Sequence, residues 1–186
     1  MSLEISLLGA LISLFFILVL SGTLWWMLHP HAFVTQAAAK ARQSVLAVKK
    51  IMVPTVGLPH TERSVELACR LGRKQMAEIY LIYILEVPRT MPLGVPLSDA
   101  EKEAEAALER ATQIVLLHNL PMQKLIHRAR VAGDDIAKLA KDMEMDMIVL
   151  GIQEEAGSHI DPLNKTANAI LKIASCEVII DKLPSS

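Results

Sequence analysis

No long basic run occurs in this sequence, and its formal net charge is −1 over 186 residues. A nucleic-acid partner needs a cationic footprint, so that class of function is excluded. Cysteine is scarce too. Cys69 and Cys176 stand far apart, without CxxC spacing. Their placement excludes a paired-cysteine zinc site and a disulfide framework, and it fits a reducing compartment. Also missing are G-x4-G-K-[ST], G-x-G-x-x-G and H-E-x-x-H, patterns that would carry phosphate, dinucleotide or zinc chemistry. No catalytic residue and no metal-ligand set is expected, and nothing in the sequence supports an enzyme. Aromatics are only 4% of the chain although hydrophobic residues are 52%. That apolar excess is concentrated in the first thirty residues, and the remainder reads as one ordinary soluble domain.

From Ile5 to Leu28 no charged residue occurs. The run exceeds the ~20 residues a helix needs to cross a bilayer. Trp25 and Trp26 stand at its far end, where aromatic side chains meet headgroups, and Pro30 ends it. Residues 1–30 are therefore expected to form a single transmembrane helix. A cleaved signal peptide, suggested by Ala37-x-Ala39, is the weaker reading. The apolar run is too long and lacks a basic leader, and the pattern lies well beyond it. Only Glu4 precedes the helix, whereas Lys40, Arg42, Lys49 and Lys50 follow it. The positive-inside rule puts the N-terminus outside and the C-terminal domain in the cytoplasm, in a bacterial inner membrane. Ser6, Gly9, Ala10 and Ser13 share one helical face and would let a helix of an integral membrane complex approach closely. His29 and His31, beside Trp and Pro, read as polar boundary residues; the rival reading is ligation of a haem- or chlorophyll-type cofactor.

Residues 31–47 read as an alanine-rich helical linker, and residues 48–183 as an α/β domain. KKIMVP (49–54) reads as a strand. TERSVELACRLGRKQ (61–75) reads as a helix with Thr61 as N-cap and Val65, Leu67, Ala68 and Leu71 near one face. EIYLIYILEV (78–87) is apolar nearly throughout, as a strand buried on both faces should be. RTMPLGVP (89–96) is a proline-punctuated loop. Ser98 and Glu101 read as a capping box for a helix through His118. Its apolar face is Ala104, Ala107, Leu108, Ala111, Ile114 and Val115, and Glu101, Glu105 and Glu109 make a solvated acidic stripe. KLIHRARV (124–131) is a more polar strand, expected at an edge, where His127, Arg128 and Arg130 would guard against pairing. Gly133 and Asp134 lead into a third helix. DMIVLG (146–151), NKTANAILKIA (164–174) and CEVIID (176–181) complete the alternation as strand, helix and strand. Such alternation predicts a parallel sheet with helices on both faces. Ligands in such sheets bind beyond the carboxyl ends of the strands. His60, near that crevice, reads as a turn residue.

KKIMVPTVG, GDDIAKLAKDMEMDMIVLGI and NKTANAILKIASCEVII, in this order and spacing, resemble the universal stress protein family over roughly residues 48–182. The resemblance implies a five-stranded parallel sheet ordered 3-2-1-4-5, and dimerisation. It also implies a nucleotide loop. Nucleotide-binding members carry an aspartate in a VPxD pattern after strand one, where this chain has Val56. After strand four they carry G-x2-G-x9-G-S/T. Gly151 matches the first glycine, Glu154 and Asn164 replace the others, and Lys165 replaces the hydroxyl residue, with Thr166 next. The vestigial loop implied by the resemblance consists of Thr55, Gly133, Gly151, Lys165 and Thr166. Glycines let backbone N–H groups close on phosphate oxygens, and acids at 154 and 155 oppose that. No cofactor is therefore expected, with ATP or AMP disfavoured.

Two functions remain. The first is an accessory or regulatory subunit, held by its helix in a transporter, antiporter or energy-converting complex, with a homodimer through the last strand. The second is a membrane-tethered adenine-nucleotide sensor, kept open by Gly151, Gly133 and Lys165.

Overall fold

The structure, a computed structural model, describes residues 7–28, 48–153 and 165–183. It comprises two compact units, residues 1–42 and 43–186. The first contains helix α1, Leu7–Leu28. From Gly9 to Leu28 it is long and apolar enough to cross a membrane, and none of that window is buried against protein. Its apolar residues go all the way round, which is the pattern of a helix buried on every side, in a large core or in a membrane. The two hydroxyls near its end are satisfied within the helix, Ser21 Oγ by the Leu18 carbonyl at 3.1 Å and Thr23 Oγ1 by the Leu20 carbonyl at 2.9 Å. Hydroxyls bonded in this way need no water. Ser6, His29, His31 and the proposed linker 31–47 lie outside the described residues.

The second unit alternates strand and helix throughout: β1 Lys50–Pro54, α2 Pro59–Gly72, β2 Glu78–Glu86, α3 Ser98–Leu117, β3 Met122–Ala129, α4 Ala132–Asp142, β4 Met147–Gln153, α5 Lys165–Ile173 and β5 Glu177–Leu183, with a short 3-10 turn at Arg73–Gln75. All strand pairs are parallel, in the order β3-β2-β1-β4-β5. The expected sheet order is thus observed, and β3 is an edge as its polarity predicted.

Successive side chains leave a strand on opposite faces. Ile51, Val53, Ile79, Leu81, Met147 and Val149 pack with α2 and α3 against one face. Met52, Tyr80, Ile82, Ile148, Leu150 and Ile152 pack with α4 and α5 against the other. Two cores on one sheet explain why β1, β2 and β4 are apolar without alternation.

Four local expectations are corrected. Thr61 is not the N-cap of α2, because Pro59 starts the helix two residues earlier, with Leu58 as cap. A proline fits the first helical turn, where its missing N–H costs nothing. Leu71 is exposed, and the buried stripe of α2 is Thr61, Ser64, Val65, Ala68, Cys69 and Gly72. Ser98 and Glu101 make no capping box, since α3 starts at Ser98 without a side-chain cap and the Glu101 carboxylate binds Arg128. Arg128 and Arg130 do not merely guard the β3 edge. Arg128 donates to the Leu93 and Val95 carbonyls (2.8 and 2.6 Å), and Arg130 to those of Val87, Pro88 and Met91. Together they pin the loop between β2 and α3.

Candidate functional site

The strand order reverses between β1 and β4, and a crevice opens there at the carboxyl ends of the strands. It measures about 450 Å³, within the usual range for small-molecule sites. Pro54, Thr55 and Val56 of β1 and its loop, His60 and Thr61 of α2, and Leu150 and Gly151 of β4 form its centre. Tyr83 and Glu86 of β2, Ala132 and Ile136 of α4, and Thr166 of α5 form its sides. Thr55, Gly151 and Thr166 of the expected loop thus meet in one place, and His60 lines the same crevice. Lys165 is exposed at the start of α5. Glu154, Glu155 and Asn164 lie outside the described residues.

Hydrogen bonding at the first loop is closed upon itself. The Thr55 hydroxyl donates to Thr61 Oγ1 (3.3 Å) and accepts from the Gly57 N–H (3.3 Å). Thr61 Oγ1 accepts from the N–H groups of Val56 and Leu58 (3.4 and 3.2 Å) and donates to the Leu58 carbonyl at 2.8 Å. The N–H groups of Val56, Gly57 and Leu58, in the loop that leads into α2, are therefore occupied by two threonine hydroxyls. Arg110 of α3 completes the closure, donating Nη2–H to the Gly57 carbonyl and Nε–H to Glu62, each at 3.1 Å. Gly57 has φ +72°, and a Cβ there would strike Arg110 and Ala107.

On the other wall, one donor at the N-terminus of α4 is taken. Glu86 Oε1 accepts the Ala132 N–H at 2.8 Å, placing a carboxylate where a helix dipole favours negative charge.

Both retained glycines have a packing reason. A Cβ on Gly151 would run into the His60 carbonyl and within 2.8 Å of Ser64 Oγ. A Cβ on Gly133 would come within 2.6 Å of Ala169 Cβ and 2.9 Å of the Thr166 carbonyl. Gly151 therefore lets α2 lie against β4, and Gly133 lets α4 and α5 touch. Beside Gly151, its β5 neighbour Asp181 sits 3.1 Å from Arg63 Nε of α2. Among the described residues, His60 Nδ1 is sealed from solvent with no hydrogen-bond partner.

Titration behaviour follows the packing. Burial, aided by Glu103, raises the Tyr83 hydroxyl above its ordinary range. Burial pushes the Cys69 thiol up to about 12. Away from the crevice, the His118 ring, 2.7 Å from the Glu66 carboxylate, holds Glu66 below its usual range, opposed by burial and assisted by Arg70. No group of three or more metal-ligating side chains occurs among the described residues. Sequence reasoning missed Glu86, Arg110 and the Arg63–Asp181 pair. The one visible signal was Glu86, a lone acid closing an apolar strand.

Comparison with known proteins matches residues 47–182 to the universal stress protein family. A universal stress protein of Methanocaldococcus jannaschii is 26% identical over 143 residues, 73% of this chain and 83% of that one. A universal stress protein of Archaeoglobus fulgidus, solved in complex with dAMP, superposes with TM-score 0.56 at 18% identity, over 73% of this chain and 98% of that one. One from Arabidopsis thaliana, solved with AMP bound, superposes with TM-score 0.52 at 17% identity, over 72% and 91%. At such identity these superpositions speak for the fold alone.

Proposed function

The chain belongs to the universal stress protein family, and from that premise we propose that it is a membrane-anchored accessory or regulatory subunit. Its α1 helix seats in a larger integral membrane complex, and its family domain works on the cytoplasmic side without catalysis of its own. The observation that carries this reading is the union of a family domain with a 22-residue helix that is apolar on every side. The closed first loop supports it. The N–H groups of Val56, Gly57 and Leu58 are bound to Thr55 and Thr61, and the side chain at position 56 offers no acceptor for a ribose hydroxyl. Thr55, Gly133, Gly151, Lys165 and Thr166 are then the remains of a nucleotide loop. Purification of the full chain in mild detergent tests this, with a membrane protein expected to co-migrate. Recovery of the chain alone, under conditions that keep other complexes intact, would refute it.

A second reading is favoured by the crevice itself. About 450 Å³ remain open at the strand-order reversal, and family relatives of the same fold were solved with dAMP and AMP. A membrane-tethered sensor of adenine nucleotides would use that space. Calorimetry on residues 43–186 separates the two readings. Millimolar or weaker ATP and AMP binding supports the first, and micromolar binding promotes the second.

A further inference from the structure

In a parallel α/β sheet the helices end where the strands begin. Four exposed apolar side chains collect at that end, on the sheet face covered by α2 and α3. Leu71 belongs to the last turn of α2, and Met76 follows the 3-10 turn in a left-handed conformation, φ 51°. Leu116 and Leu117 end α3, where Leu117 is 81% exposed. The two helix ends are joined by the contact of His118 with Glu66. Arg73 and Lys74 stand exposed between Leu71 and Met76. Exposed apolar groups collected at one end of a soluble domain mark an interaction site. On the other sheet face at this end α4 finishes on exposed Asp142, with exposed Glu144 just beyond it, and α5 finishes on exposed Leu171, Lys172 and Ile173, so acidic groups stand beside the apolar ones there.

We propose that the Leu71–Met76 and Leu116–Leu117 corner docks on the surface of an anionic bilayer. The lipid partner follows from where the chain enters. Lys50, the first residue of β1, pairs with Glu78, two residues after Met76. The Lys49 carbonyl accepts the Glu78 N–H at 2.7 Å. The segment from α1 therefore reaches the domain at the end of the sheet that holds this corner, between Glu78 and Asp146, whose carboxylate accepts the Lys49 and Lys50 N–H groups. Residues 29–47 reach at most about 65 Å even if fully extended. A tether of that length holds its domain at an effective concentration near the millimolar range, so a weak surface contact becomes populated. Leucine and methionine enter the interface while Arg73 and Lys74 meet anionic headgroups, the composition of an interfacial contact. The inference rests on α1 being a membrane anchor.

Residues 43–186 form one compact unit. Solved relatives consisting almost wholly of this portion fold alone, one matched over 98% of its length. The fragment lacks Trp25 and Trp26, the chain's two tryptophans. Leu117→Trp therefore supplies a single reporter at the corner, and Met91→Trp a control at the opposite end. Each variant is tethered through an N-terminal hexahistidine tag to vesicles of phosphatidylcholine, phosphatidylglycerol and a nickel-chelating lipid. Docking predicts a blue shift and quenching by brominated lipid for the Leu117→Trp reporter, and neither for the Met91→Trp control. Adding Leu116→Ser to the corner reporter should abolish most of that quenching. Two silent reporters, or two that respond alike, overturn the proposal. So does a blue shift of the corner reporter that grows with protein concentration without vesicles, which would make the corner a contact between two copies. Silent reporters together with a full chain that leaves membranes only in detergent would strike out docking and leave the anchor standing.

Discussion

Gly151 shows how one residue can carry a packing reason that its own stretch of sequence does not reveal. The sequence marks it as the surviving first glycine of a phosphate loop. In the fold, its missing Cβ is the space into which the His60 carbonyl and Ser64 hydroxyl fit. The reason was not legible because it lies far away in the chain, in the first turns of α2. Gly151→Ala should destabilise the domain by about 1–3 kcal/mol, the cost of overpacking against atoms that cannot yield, and urea unfolding of residues 43–186 without ligand would measure it. An unchanged midpoint would return Gly151 to a ligand role. Cys69 allows a second check. Buried among core side chains, with its thiol pushed up to about 12, it carries almost no thiolate at neutral pH and should stay inert to a thiol reagent until the domain unfolds. Glu66 adds a pH dependence. Its folded-state pKa is depressed, chiefly by the His118 contact. The associated stability is present above the ordinary carboxyl pKa of 4.5 and disappears as pH falls through the depressed folded value. Glu66→Gln should remove that portion of the acid-side loss, visible as a shallower fall in melting temperature below about pH 4.5.

Elements were far more legible than their joints. Five strands and four helices of the family domain fall where periodicity and apolar runs place them, because each long element averages many weak signals. Caps and loops do not average. Pro59 moved the start of α2, and long-range arginines fixed the β2–α3 loop. Five carbonyls on that loop accept from Arg128 and Arg130, and hydrogen bonds to charged groups contribute about 1.5–3 kcal/mol each. Arg130→Ala should thus open the loop locally while leaving the core intact, and trypsin should cut after exposed Arg89 faster at an unchanged melting temperature. The outer strand β5 offers a test of self-association. The Glu177 N–H donates to the Asp146 carbonyl on the β4 side. Alternation along the strand therefore aims the Val178 and Ile180 N–H groups away from β4. Val178→Pro removes an outward donor while sparing the inward ladder, so it should abolish a dimer formed by strand addition without unfolding the domain. Sedimentation of the fragment would show the change, and an unaltered dimer would place the contact elsewhere.

At the scale of the whole molecule, the alternation of strand and helix pointed to a parallel sheet covered on both faces, while the strand order now observed was legible only through the family resemblance. The crevice was legible only as a location. The bonds of Thr55, Thr61, Glu86 and Arg110 that close its first loop and one donor of α4 depend on side chains brought together from distant parts of the chain. The proposed membrane anchoring rests instead on two local features, the apolar length of α1 and the charge that follows it. The helix has 22 residues, enough for about 33 Å at 1.5 Å per residue, against a hydrocarbon core of about 30 Å. Removing residues 1–28 should therefore release the chain from the membrane fraction, and the intact chain should resist alkaline carbonate. Lys40 and Arg42 lie within about twenty residues of the helix end, the range over which basic residues set orientation, and Lys49 and Lys50 follow just beyond it. Trypsin added to intact cells should accordingly leave residues beyond 60 uncut, and inverted vesicles should expose them. Replacing Lys40 and Arg42 with glutamine while adding lysines before Glu4 should weaken or invert that asymmetry, because orientation follows the lysine and arginine bias rather than net charge. Cleavage from outside in the unaltered protein would put the family domain on the other side of the membrane, away from cytoplasmic nucleotides, and would remove both functional readings together.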